Sequence, residues 1–91
     1  ALYGQLAQIT RSPVVELNRA VAVAQAGDPE RALEIVEELE LSDYQYLHST
    51  RGELLRRLGR TDEAREAFER ALALARSERE RRFLERRIAE L

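Results

Sequence analysis

The chain has 91 residues, a net charge of −2, and no Cys, Met or Trp. With 44% hydrophobic and 35% charged residues, it has the composition of one small folded domain and not of a disordered, collagen-like or membrane-spanning chain. The lack of cysteine excludes a disulfide framework, a thiolate metal site and a cysteine nucleophile.

The elements read as helices throughout. Leu2, Leu6 and Ile9 fall at i, i+4 and i+7, the stripe of an amphipathic helix. No capping residue precedes them, and residue 1 is Ala. Residues 1–10 are therefore expected to be the end of a helix that starts earlier, and the chain to be a fragment of a longer protein. Ser12-Pro13 and Asp28-Pro29 each place a capping side chain before a proline at the first helical position. Ser42 with Gln45, and Ser77 with Glu80, have the spacing of capping boxes. Thr61, followed by Asp62 and Glu63, marks a further start with acids in the first turn. Gly27 and Gly59 suit the left-handed position that ends a helix. The prediction is six helices, over 1–10, 13–26, 29–40, 43–58, 62–76 and 78–90. The short connections make neighbours antiparallel.

The pattern repeats. Gly27 and Gly59 are 32 residues apart, as are Ala20 and Gly52, Val23 and Leu55, Ala32 and Ala64, Val36 and Phe68, and Leu39 and Ala71. Small residues stand where helices would approach closely, with large apolar ones a turn away. A helix–Gly turn–helix unit with a period near ~34 residues is a hairpin solenoid. The run Gly52, Leu55, Gly59, Ala64, Phe68, Ala71 resembles the tetratricopeptide pattern, and residues 13–44 and 45–76 form its two units. Segment 77–91 reads as a capping helix, with Phe83, Leu84, Ile88 and Leu91 as its buried stripe. The fold class is thus all-α, a tetratricopeptide-like solenoid within a single domain, 1–91.

Helix 13–26 is apolar on more than one side, so it should be covered on more than one side. Ala20 and Val23 would face helix 29–40. Tetratricopeptide geometry would put Val14, Leu17 and Val21 on a concave groove, with Asn18 beside them. An apolar groove floor is either a binding surface or a seat for preceding helices, and both readings stay open. Tyr46, Ser49, Glu53, Arg56 and Arg57 would line the groove in the second unit. The Lys/Asn clamp that some tetratricopeptide proteins use for a peptide C-terminus is absent, because Leu17 and Val21 fill two of its positions. If Arg19 is buried it needs a carboxylate, and Glu53 is the candidate.

Nothing here indicates catalysis. The single His48 has no obvious Asp orienter and no cluster of further ligands, so it reads as structural or groove-lining. The glycines occur singly, which excludes a phosphate-cradling loop. No cofactor, metal or small-molecule substrate is expected. Charge is uneven: residues 1–45 sum to −5 and residues 46–91 to +3. All fifteen basic residues are arginine, which suggests a GC-rich coding sequence. In the basic half, Glu66 with Arg70 and Glu78 with Arg82 pair at i,i+4. That half therefore reads as a solvated helix surface, with nucleic-acid binding as the alternative.

Three segments carry a narrower likeness: Ser12-Pro13-Val14-Val15-Glu16-Leu17-Asn18-Arg19-Ala20-Val21-Ala22, then Leu54-Leu55-Arg56-Arg57-Leu58-Gly59-Arg60, then Glu80-Arg81-Arg82-Phe83-Leu84-Glu85-Arg86-Arg87. In this order they resemble the C-terminal extension of a group of bacterial extracytoplasmic-function sigma factors found in actinobacteria. The resemblance implies a cytoplasmic regulatory domain. It would tune transcription initiation through contacts with the sigma core domains, RNA polymerase or a regulator protein. DNA would be bound only by domains outside this chain, and no membrane is involved. The alternatives are a tetratricopeptide adaptor unrelated to transcription, an Arg-rich nucleic-acid binder, and a homodimer through the edge of helix 1–10.

Overall fold

A computed structural model describes residues 12–40 and 42–91. These form five α-helices: α1 (Pro13–Gln25), α2 (Pro29–Glu37), α3 (Gln45–Arg57), α4 (Thr61–Ala73) and α5 (Glu78–Ala89). The helix expected over 1–10, its stripe Leu2, Leu6 and Ile9, and the dimer edge assigned to it lie outside the described residues. No described helix is long and apolar enough to cross a membrane.

Three of the predicted caps form. The Ser12 hydroxyl accepts from the Val15 amide at 3.2 Å, and the Asp28 carboxylate accepts from the Arg31 amide at 3.0 Å. Ser77 accepts from the Glu80 amide at 3.2 Å, while the Glu80 carboxylate reaches back to the Arg76 amide at 3.0 Å. These caps satisfy donors that the first helical turn leaves without partners. The two other predicted starts differ. Helix α3 begins after Tyr44 with no side-chain cap, and the Ser42 hydroxyl does not cap it. Instead, the Ser42 carbonyl accepts the Nε2–H of buried His48 at 2.8 Å, which ties the incoming loop to α3. Thr61 is the first residue of α4 and not its cap. The turn before it is so tight that Arg60 must serve as the cap residue.

That turn recurs. In the first hairpin the Asp28 amide donates to the Val23 carbonyl and the Gly27 amide to the Ala24 carbonyl. In the second, the Arg60 amide donates to Leu55 and the Gly59 amide to Arg56. Both are complete Schellman closures, with glycine left-handed at φ +104° and +78°. The residue that ends each closure also starts the next helix, so two antiparallel helices meet with no spare loop.

Helices α2 and α4 stop earlier than expected, at Glu37 and Ala73. Each ends in i→i−3 bonds: Glu38 to Ile35 and Leu39 to Val36, then Leu74 to Ala71 and Ala75 to Leu72. Neither segment has a terminal glycine. In α2 the closing residues Glu37 and Glu38 place negative charge at the negative end of the helix dipole, with no basic residue in the last turn to oppose it.

The helices pack in chain order, α1 on α2, α2 on α3, α3 on α4 and α4 on α5, and α1 also touches α3. The molecule measures 50 × 29 × 17 Å. Its short dimension is two helices deep, as expected of stacked hairpins. One continuous core runs through it, with Phe68, Leu17, Leu55, Leu84 and Val36 as its largest fully buried side chains. The small residues lie at the helix contacts: Ala20, Ala32, Ala64, Ala67 and Ala71 are all buried. At Gly52 the fit is closest, because a Cβ there would stand 2.8 Å from Cε1 of Phe68. One unit earlier, the equivalent couple is Ala20 with Val36, both buried. Where the second unit has the larger Phe68 in place of Val36, it has Gly52 in place of Ala20.

The capping helix departs from its predicted stripe. Leu84 is fully buried and Ile88 and Leu91 pack partly against the core, but Phe83 is 53% exposed. Leu84, Ile88 and Leu91 complete an i, i+4, i+7 stripe by themselves. Phe83, about 100° round the helix from Leu84, falls off it.

Candidate protein-binding groove

The first helix of each hairpin and the capping helix together form a concave face. A cleft of about 500 Å³ opens along it. Helix α1 contributes Val21, Ala24 and Gln25, and α5 contributes Phe83. Helix α3 runs through the middle with Tyr46, Ser49, Thr50, Glu53 and Arg57 on its open side and Leu54 beneath. The repeat explains this convergence. Stacked hairpins set their first helices side by side, so residues a turn apart on α3 line the same trough as their counterparts on α1 and α5.

Five of the nine residues expected in the groove line this cleft: Val21, Tyr46, Ser49, Glu53 and Arg57. The other four do not. Leu17 is 0% exposed and belongs to the core, which corrects its reading as groove floor. Ala20 and Ala24, at i+3 and i+7 from Leu17, are buried with it and give α1 one inward stripe. Val14 is 41% exposed and Asn18 is exposed, but neither lines the cleft. Arg56 touches the site only by binding Glu53 at 3.1 Å.

The polar groups of the cleft are held firmly. Glu53 receives both Nε and Nη2 of Arg87 at 2.6 Å, a two-pronged bridge from α5 to α3. The expected Arg19–Glu53 pair does not form. Arg19 is exposed and binds Glu16, one turn away, at 2.9 Å. Arg57 donates to the Ala24 carbonyl at 3.3 Å and so spans the two hairpins. The Ser49 hydroxyl donates to the Tyr46 carbonyl at 3.1 Å. Tyr46 is exposed, with the Tyr44 ring 6.1 Å from its own. His48 lies on the opposite side of α3, buried, and contributes nothing to the groove.

Ala24, Gln25, Gln45, Thr50, Leu54 and Phe83 also line the cleft and were not expected there; Phe83, assigned to the buried stripe of the capping helix, is the largest of them. Its position off the α5 stripe was the available signal. On the far side of the molecule, Arg51 binds Glu37 at 2.5 Å and Arg60 binds Glu63 at 2.7 Å. Hydrogen bonding from Arg60, reinforced by its charge, holds the Glu63 carboxyl below the usual glutamate range. Among the described residues, no group of three acidic or histidine side chains is placed to hold a metal ion.

Residues 13–38 and 45–77 each match the tetratricopeptide repeat family. The solution NMR structure of a tetratricopeptide repeat domain protein from Salinibacter ruber superposes with a TM-score of 0.77 at 24% identity, over 88% of this chain and 86% of that one. The fold is therefore tetratricopeptide-like, and such repeats generally serve as non-catalytic protein-interaction modules. An uncharacterized protein of Rhizobium meliloti is 57% identical over 76 residues. The match takes in 81% of this chain but 18% of that protein, so the chain spans less than a fifth of its relative's length.

Proposed function

We propose that this chain is a protein-interaction domain that holds a segment of a partner protein along the concave face of α1, α3 and α5. One observation carries this reading: a cleft of about 500 Å³ with an aliphatic floor and two exposed aromatic side chains, Tyr46 and Phe83, on the open face of a two-repeat solenoid. Exposed apolar surface in a concavity is what a docking peptide covers. A photo-crosslinking residue at Thr50, in the cleft, tests it against the same residue at Glu69, which is exposed on α4. Defined crosslinks to one protein from Thr50 but not from Glu69, lost on Val21→Glu, are expected. Equal labelling from both positions rejects the groove.

A second reading has support in the sequence alone. On the three segments resembling the sigma-factor extension, the partner would be the sigma core domains, RNA polymerase or a regulator, and the location the cytoplasm. The Rhizobium relative, several times longer than this chain, leaves room for further domains. Deleting this domain from its parent protein should change promoter output or polymerase binding. Unchanged values for both reject the sigma reading and leave the adaptor reading in place.

A further inference from the structure

We infer that the groove is specific for acidic segments that carry a bulky apolar side chain. This rests on the groove reading above and adds the chemistry of the occupant. Ten of the described arginines lie in ion pairs with carboxylates; Arg57, Arg76, Arg79 and Arg86 do not. Arg57 lines the cleft. Arg79 and Arg86 stand four residues before and three after Phe83, so they share its face of α5, beside the cleft but outside its lining; Glu80, three before Phe83, is the acid on that face. The cleft and the adjoining face of α5 thus hold three of the four described arginines that have no carboxylate partner.

Glu53 is the single carboxylate in the cleft lining, and Arg87 and Arg56 both bind it. Glu30 and Glu38, which have no ion-pair partner among the described residues, lie beside α2 on another surface of the molecule. Arg56, Arg57, Arg79, Arg86 and Arg87 against Glu53, Glu80 and Glu90 leave the groove and its α5 rim net positive, over an aliphatic floor. A neutral segment would leave Arg57, Arg79 and Arg86 unmatched, and a basic one would meet repulsion. An acidic segment matches them in sign, and such complementarity mainly sets which partner is accepted. The floor of Val21, Ala24 and Leu54 with the Phe83 ring suits an aliphatic or aromatic side chain. Nucleic acid would use the cations but not the floor.

A displayed library of random twelve-residue peptides, selected on the 91-residue chain, tests this. A single-stranded DNA dodecamer serves as the second probe. Enriched peptides should be net acidic, with at least one Leu, Ile, Phe, Tyr or Trp. Arg79→Gln combined with Arg86→Gln should weaken the best of them about tenfold or more, the scale of a lost charge-assisted contact, and Phe83→Ala should do likewise. Enriched peptides that are neutral or basic, yet released by Val21→Glu and Phe83→Ala, overturn the acidic specificity and keep the groove. Peptides indifferent to those two substitutions, or no enrichment at all, overturn both. Binding of the DNA with loss on Arg79→Gln, where acidic peptides do not bind, assigns the cations to nucleic acid and overturns the proposal. Circular dichroism of each variant confirms that the fold is retained.

Discussion

Gly52→Ala is the substitution whose sign the structure decides. On an exposed helix surface, replacing Gly by Ala stabilises by about 1 kcal/mol through backbone entropy and helix propensity. At position 52 the new methyl would stand 2.8 Å from Cε1 and 2.9 Å from Cδ1 and Cζ of Phe68. Phe68 is fully buried, so its ring cannot swing into solvent. Forcing a methyl group into a closed core costs about 1–3 kcal/mol. The two terms leave a net loss of about 1 kcal/mol, which for a domain of this size lowers Tm by roughly 4–8 °C. Urea unfolding followed by helical circular dichroism measures it, with Gly52→Ala, Phe68→Leu and the double variant in one cycle. Removing ring atoms in the Gly52→Ala background should restore part of the loss, so the pair should be non-additive in the stabilising direction. An increase in the urea midpoint for Gly52→Ala alone would refute the reasoning, because it would mean that α3 and α4 are not in contact at this couple.

Leu17→Glu should unfold the first hairpin instead of emptying a groove, since it places a carboxylate at a fully buried core position; loss of the cooperative thermal transition is the expected readout. Arg87→Met should release α5 from α3, because both prongs of the Glu53 bridge go with it. Amide exchange in α5 should rise several-fold, by about 1 kcal/mol of local opening, while α1 and α2 keep their protection. The carboxyl of Glu63 should titrate below the usual glutamate range in a ¹³C-detected NMR titration, and Arg60→Gln should return it toward the ordinary value, because the Arg60 hydrogen bond is the leading cause of the depression. A carboxyl with a depressed folded pKa stabilises fully above its unfolded pKa and loses that contribution as pH falls through the folded value, so the Arg60→Gln difference in stability should vanish in acid.

Much of the architecture was legible because its signals are local. Ser12, Asp28 and Ser77 cap the helices they were expected to cap, and Gly27 and Gly59 take the left-handed turns their spacing suggested. The 32-residue offset related like positions of the two units, and both Ala20 and Gly52, and both Val36 and Phe68, are buried. What failed depended on the direction in which a side chain points. Leu17 and Val21 both sit on the greasy helix, one turn apart, and a period argument could not say that one faces the core and the other the trough. Ser42 failed as a cap because α3 starts at Gln45, after Tyr44, and Ser42 instead offers its carbonyl to the buried His48, a contact no capping rule contains. Glu53 was given the wrong partner: Arg87, 34 residues downstream on a different helix, was invisible to a search among neighbouring turns.

The two Schellman closures use the same hydrogen bonds in the same order, yet the couples beside them differ, Ala20 with Val36 in one hairpin and Gly52 with Phe68 in the other. Connector geometry and inter-helix spacing are thus written by separate residues. Turns could be transplanted between the two units without consequence, whereas swapping one member of a couple would jam or hollow its hairpin. In an array built this way the hinges are generic, and the identity of each link resides in the matched sizes across its seam.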